Sequence, residues 1–199
     1  MSGDSVLYTA DDGTPGAPWF LVLHDRYGGL EDARAVGAML GDHVHRRAIR
    51  ALRTQTDGGM GVPMGYYWYV GPVDMPEPAT LADGLSQLEA EFLHAAARHP
   101  AGTAGLSGQG EGGVMALLIA LIWPEKCAAL VLDNVPLPRN LDRLPLGPGR
   151  VDGLPVFVLG ASTEVAAAVR TRGAVVEQIA APALAAKLAE ILPAPASQG

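Results

Sequence analysis

Residues 103–120 read Thr103-Ala104-Gly105-Leu106-Ser107-Gly108-Gln109-Gly110-Glu111-Gly112-Gly113-Val114-Met115-Ala116-Leu117-Leu118-Ile119-Ala120. Thr103 to Ser107 suits a short buried strand and Val114 to Ala120 an apolar helix, with a glycine-rich turn between them. In the pattern G-x-S-x-G a serine sits on a sharp, strained strand-to-helix turn. Small residues two positions either side let the backbone fold back on itself. Gly108 and Gly112 supply those neighbours, and Gly110 stands at the serine position. The stretch specifies the turn and omits its reactive side chain.

The flanking sequence alternates strand and helix. Ser5 to Thr9 reads as a first strand, Trp19 to Leu23 as a strand buried on both faces and ended by His24, and Ala48 to Leu52 as a third. Leu30 to Leu40 has helical apolar spacing, as do Leu81, Leu85, Leu88 and Phe92. Between them Thr54 to Pro78 reads as a long loop, Gly-rich and then aromatic at Tyr66, Tyr67, Trp68 and Tyr69. Ala128 to Leu132 is a strand closed by Asp133-Asn134, and Pro136 to Pro155 a loop or partial lid. Pro155 to Gly160 (strand), Thr163 to Arg172 (helix), Ala174 to Ile179 (strand) and Pro182 to Leu192 (helix) complete the alternation, before a frayed tail at Ala194 to Gly199. This pattern predicts one α/β domain over 1–199 with its core at 5–192. Its sheet is expected to be mostly parallel, of about seven strands, with helices on both faces.

Composition narrows the partners. With 49% hydrophobic and 18% charged residues, 199 residues suffice for one domain with a buried central layer. A net charge of -7 and scattered Lys and Arg argue against a nucleic-acid surface. The local basic group Arg46, Arg47 and Arg50 reads as a solvated strand end. Cys127 is the single cysteine, so no disulfide framework exists, and it is expected to pack at the start of a strand. The absence of a long apolar run and the polar Met1-Ser2-Gly3-Asp4 start lead to the expectation of a cytoplasmic protein off the membrane. Neither a cofactor nor a metal is expected; a small-molecule ligand or substrate is, and a homo-oligomer is compatible with the sequence.

Leu23-His24-Asp25-Arg26-Tyr27-Gly28-Gly29 resembles the LHGxGG oxyanion loop of the small carboxylesterase/phospholipase family, with some likeness to dienelactone hydrolases. The turn resembles that family's GFSQGGAMAL, with Gly110 at the serine and Glu111 at the glutamine. Pro124-Glu125 resembles its YPE turn. The resemblance covers about residues 18 to 192 and implies the α/β-hydrolase fold. It also implies an acid after the next-to-last strand, where Thr163 stands, and a histidine after the last strand. All five histidines, at 24, 43, 45, 94 and 99, precede Gly110. Without the triad, only ~10^3 to 10^4-fold acceleration over water remains from oxyanion hole and binding.

Several residues admit two readings. Ser107 is a nucleophile only if the turn is shifted to Gly105-Leu106-Ser107-Gly108-Gln109, which puts bulky Gln109 where a small residue is needed. Glu111 is either a pocket acid or base or a cap of the helix dipole, and Asp25 is its companion candidate for proton transfer. The N–H of Glu111 and one from the Asp25 to Tyr27 loop are expected to hold a carbonyl or enolate oxygen. Asp25 and Arg26 either touch substrate or pair at the surface. His24, Tyr27, Trp68, Gln109, Gly110 and Asp133 are the remaining substrate-contact candidates. His24 alternatively holds its loop, Asp133 caps a loop, and the aromatic row fills the core. His43-x-His45 has chelate spacing without a companion ligand.

Three functions remain. The first is a repurposed, non-hydrolytic small-molecule enzyme of cyclase, lyase or isomerase type. The others are a catalytically inactive binding or regulatory protein, and a hydrolase with an unusual catalytic set. With no activated serine at 110, a fluorophosphonate probe is expected to leave the protein unlabelled; stoichiometric labelling of Ser107, read by mass spectrometry, would overturn the register of the turn.

Overall fold

The computed structural model describes residues 7–56, 61–144 and 149–192. In chain order its elements are β1 (Tyr8–Gly13), β2 (Trp19–Leu23), α1 (Leu30–Ala38), β3 (His45–Arg50), β4 (Arg53–Thr56), β5 (Pro63–Tyr67), α2 (Pro78–Arg98), β6 (Ala104–Gln109), α3 (Gly110–Ile122), β7 (Cys127–Asp133), β8 (Pro155–Leu159), α4 (Thr163–Thr171), β9 (Val175–Gln178) and α5 (Ala181–Ile191). Seven strands form one sheet in the order β1-β3-β2-β6-β7-β8-β9. Only β1 runs antiparallel to its neighbour; the other pairs are parallel.

Two apolar clusters lie on the two faces of this sheet. Leu21, Leu23, Leu106, Leu130 and Leu132 face α2 and α3, while Phe20, Val22, Val131 and Phe157 face Val36 of α1 and Leu184 and Leu188 of α5. Helix α3 is buried from Gly110 to Leu121, which is why its sequence is apolar on every side and shows no polar stripe. Among the described residues no helix is long and apolar enough to cross a membrane.

The main departures from the sequence-based expectations fall where charge or turn chemistry overrides apolar patterning. The third strand begins at His45 rather than Ala48 because its arginines have partners across the sheet edge. Asp11 and Asp12 of β1 lie in register with Arg47 and Arg46 and pair with them, and Arg47 also reaches buried Glu91 at 3.0 Å. Arg50 lies between the rings of Tyr8 and Tyr66, 3.7 and 4.1 Å from their centroids. These arginines are not a solvated strand end. The Asp11 and Asp12 pairs lie at the partly exposed sheet edge, where an ion pair contributes only about 0.2–1 kcal/mol, so they fix the register of an edge strand more than its stability. The first strand is displaced to Tyr8–Gly13, and Ser5 lies outside the described residues, as does the tail from Ala194. The segment expected as one long loop contains the antiparallel hairpin of β4 and β5.

The strand-turn-helix centred on Gly110 is sharp. Gln109 ends β6 in an extended conformation, Gly110 has φ +49°, and α3 begins there. Side chains on the other glycines would meet backbone or core: a Cβ on Gly108 would come within 2.5 Å of Gly112 O, one on Gly112 would overlap His24 O, and one on Gly113 would overlap Val135. A Cβ on Gly110 would overlap the Asp25 carboxylate. Gly110→Ala is therefore expected to lose about 1–3 kcal/mol through backbone strain plus a further loss from displacing Asp25, at about 2–4 °C of Tm per kcal/mol. Gly102, with φ +69° and open space around it, carries the strain without the overlap. Equal losses in Gly102→Ala and Gly110→Ala, measured by thermal denaturation, would show that Asp25 does not fill the space beside Gly110.

Candidate functional site

The loop after β2 is shaped by His24. Its ring is fully buried; Nε2 accepts the Ala51 N–H at 3.0 Å, and Nδ1 lies 2.6 Å from Asp25 O. Because Nε2 is an acceptor, Nδ1 carries the proton and donates it to that carbonyl. Burial pushes the imidazole below its ordinary pKa, which keeps the neutral form both bonds require. His24 holds its loop, and the expectation that it contacts substrate is not met, since both nitrogens are engaged by main chain.

That loop delivers the Asp25 carboxylate to the turn. Asp25 Oδ1 accepts the Arg26 N–H at 2.7 Å and the Glu111 N–H at 2.8 Å. These are the donors expected to hold a substrate oxygen, and they are occupied by the chain's own side chain. A carboxylate satisfies them because two converging N–H groups at a helix N-terminus favour an anion. Asp25 Oδ2 has no hydrogen-bond partner among the described residues, and the residue is partly exposed.

Glu111 is placed one residue further on and faces inward. Its side chain is fully buried; Oε1 lies 2.6 Å from Arg26 and accepts the Tyr69 N–H at 3.5 Å, while Oε2 accepts the Trp68 N–H at 3.1 Å. Burial raises its pKa above the usual carboxylate range, opposed by the Trp68 N–H and the Arg26 charge. Burial also works against the Arg26 charge, and Glu111 more than restores it. Arg26 further donates to Tyr69 O at 3.1 Å. Glu111 is thus not placed to touch a ligand; it ties α3, the oxyanion-type loop and the end of the hairpin to one point. Trp68 is buried too, with Nε1 donating to His24 O at 2.9 Å, so its ring belongs to the core rather than to a ligand surface.

Tyr27 forms the rim. It is 54% exposed and adopts φ +66°, held there by its N–H bonding to Tyr66 O at 2.7 Å and by Tyr66 N–H bonding to Gly28 O at 3.0 Å. Tyr27, Gln55, Thr56 and Met64 line a hollow of about 260 Å³. A second hollow, of about 250 Å³, lies at the ends of β6 and β7 and is lined by Gln109, Asp133, Asp32, Ala35, Val36 and Met39. Gln109 Nε2 donates to Asp133 Oδ2 at 2.9 Å, and Asn134 Nδ2 to Asp133 Oδ1 at 2.9 Å. Sequence reasoning missed Asp32, although Gly29 followed three residues later by an acid is a helix-start signal: Asp32 Oδ2 accepts the Gly29 N–H at 2.8 Å. It also missed the Arg26–Glu111 pair, whose signal was one opposite charge in each of the two motifs.

The other chemical candidates lie apart from this edge. Thr163 is the exposed first residue of α4. Ser107 is buried within β6. Cys127 is buried at the start of β7, and burial pushes its thiol up to about 12. His45 stacks on Trp19 with ring centroids 3.9 Å apart. Among the described residues no group of three or more His, Cys, Asp or Glu is clustered to hold a metal.

No family model matches this chain, and no curated protein matches it in sequence. Solved structures do resemble it. A carboxylesterase from Mesorhizobium loti superposes with a TM-score of 0.72 at 18% identity, covering 94% of this chain and 96% of that one. The Bacillus cereus carboxylesterase gives 0.67 at 15% identity over 88% and 85% of the two chains. Acyl-protein thioesterase 2 from Zea mays gives 0.62 at 12% identity over 86% and 89%. With its strand order, its glycine turn at the end of β6 and these likenesses, the chain has the α/β-hydrolase fold.

Proposed function

We propose that this protein is a non-hydrolytic member of its fold that handles a small molecule at the carboxyl edge of the sheet, with the Asp25 carboxylate in place of an elbow serine. The observation that carries this reading is the occupancy of the turn: Asp25 fills the space a side chain at 110 would enter and accepts both N–H groups beside it. Covalent acyl transfer then has neither a nucleophile nor free donors for its oxyanion, and no histidine follows residue 99 to serve as base. What the site presents instead is one carboxylate oxygen, Oδ2, on a group whose other oxygen is anchored. Such a group suits proton transfer to or from a bound ligand, as a cyclase, lyase or isomerase requires. Glu111 and Arg26 act as positioning residues beneath it.

One observation favours the inactive, ligand-binding reading. Asp25 Oδ1 is committed to two N–H groups of the chain itself, as the carboxylate of a purely structural clasp would be. The two readings separate by turnover. Thermal-shift screening supplies a ligand, and mass spectrometry of the recovered compound shows whether it has changed. Asp25→Asn retains an acceptor for both N–H groups and removes the base, so the enzyme reading expects turnover to fall by about 10^2-fold or more with affinity altered by only a few fold. Ligand recovered unchanged after long incubation with excess protein would overturn the enzyme reading for that compound and leave the binding reading. Gly110→Ser is expected to yield no esterase activity on p-nitrophenyl esters, because its Cβ would overlap the Asp25 carboxylate and its hydroxyl would find no histidine. Ordinary esterase rates in that variant would overturn the non-hydrolytic assignment.

A further inference from the structure

The sheet ends on β9, which pairs with β8 on one side and is the last strand in the order. Its main chain specifies what can cover the other side. Val175 N–H bonds to Leu154 O at 2.9 Å and Ile179 N–H to Val158 O at 3.0 Å, so residues 175, 177 and 179 turn their main-chain groups to β8. The alternation of a strand then turns the N–H and C=O of Val176 and Gln178 outward. Another extended chain presents the matching donors and acceptors. At the opposite edge β1 discourages such addition with Asp11 and Asp12 side by side. β9 has no proline, no break in its register and a single charge, Glu177.

The side chains of this edge are a second observation. Val175 is 64% exposed, more than any other large apolar side chain among the described residues. It shares a face with Glu177, whose register partner Phe157 belongs to the cluster that holds Leu184 and Leu188 of α5. Val176 points to the other face, where Val165 and Val169 of α4 lie. One flank of α5 is turned toward α1, since a Cβ on Gly41, just beyond α1, would meet Ala185. The other flank is turned to β9. There the Lys187 ammonium is held above its usual pKa by Glu190, bonded at 3.1 Å, and then by Glu177 of β9. Ala183, Lys187 and Glu190, at steps of four and three, share that flank.

We propose that the occupant of this edge is a second copy of this chain, joined β9 to β9 in antiparallel register about a two-fold axis at Val176. Such a strand is complementary to its own copy: Val176 exchanges both main-chain bonds with Val176 of the partner subunit. This register sets Glu177 opposite the partner's Val175. The alternative centred on Glu177 would oppose two like charges. The partner's Glu177 also comes within reach of Lys187, one strand spacing of about 4.8 Å further out, so the lysine of each copy meets an acid of the other. The pairing uses the free edge of both copies, and assembly stops at two.

The size of the edge sets the strength of the dimer. α5 has 11 residues and spans about 16 Å, and helix, sheet and helix stack to roughly 30 Å, so each copy offers roughly 500 Å². About 1,000 Å² in total is at the low end of specific interfaces. The dimer is expected to be concentration-dependent and half-assembled on the order of 10^-5 M.

Sedimentation of the full chain from about 10^-6 to about 10^-3 M, with hydrogen exchange resolved to single amides by mass spectrometry, tests the seam. A monomer–dimer equilibrium is expected, in which exchange at the Val176 and Gln178 amides slows by about tenfold or more as the dimer forms. Gln178→Pro removes an N–H that β8 does not accept, and Val175→Lys sets a charge at the seam. Each is expected to raise the dissociation constant by about tenfold or more with the circular dichroism unchanged. Met64→Lys, at an exposed apolar residue of β5, is expected to alter it by less than about twofold. A chain monomeric throughout that range would overturn the proposal, as would a dimer in which the two amides exchange at unaltered rates. So would a dimer that Met64→Lys dissociates and Val175→Lys does not. Protection of both amides that does not vary with concentration would place another part of the same chain on the edge, and the proposal would fall. If Gln178→Pro does not fold, Val175→Lys and the exchange rates decide.

Discussion

The structure at the carboxyl edge depends on one clasp, in which Asp25 Oδ1 accepts hydrogen bonds from the Arg26 and Glu111 N–H groups. The sharp turn at Gly110 leaves the first N–H groups of α3 without intrahelical partners and aims them at the loop after β2. Something must satisfy them. A carboxylate does so best, because the helix N-terminus carries partial positive charge. Glycine at 110 makes room for it, and the close approach of Gly108, Gly112 and Gly113 to backbone and core sets the distance between loop and helix.

The neighbouring pair depends on that clasp. Once Asp25 fixes the Arg26 main chain, the guanidinium turns inward to Glu111 and to Tyr69 O, and the Glu111 carboxylate collects the N–H groups of Trp68 and Tyr69. A fully buried carboxylate is tolerated because its charge is paired and its oxygens are hydrogen-bonded; removing Arg26 alone would strand it. Three segments distant in sequence, the loop after β2, the end of the hairpin and the start of α3, are thereby joined by polar contacts across an otherwise apolar core. The β bridge between Gly28 and Tyr66 adds the main-chain seam.

Much of this was legible in the sequence. The buried strands β2, β7 and β8 appear as apolar runs, and the glycine spacing around Gly110 identified the turn that β6 leads into. The edge strands were harder to read, since β1 and β3 are held by Asp–Arg pairs that only register reveals, and the hairpin hides in a stretch dominated by glycine and turn residues. At the site, the candidate residues could be named, but their directions were not foreseeable. Asp25 and Glu111 sit in adjacent motifs, and nothing in spacing tells which carboxylate fills the turn and which is buried against Arg26. Trp68 and His24 could be assigned to core or ligand only once their hydrogen-bond partners were known.

Charge at this edge has a direction. Glu111 is neutralised by Arg26, while Asp25, Asp32 and Asp133 carry no cationic partner among the described residues. Ester and thioester hydrolysis develop negative charge on the carbonyl oxygen, which carboxylates without a paired cation and occupied N–H donors oppose; this is the electrostatic basis of the proposed non-hydrolytic reading. In the proposed function Gly110 and Asp25 act together: glycine at 110 presents no side-chain group to start acyl transfer, and the Asp25 carboxylate sets a negative charge beside the N–H groups that would hold an oxyanion.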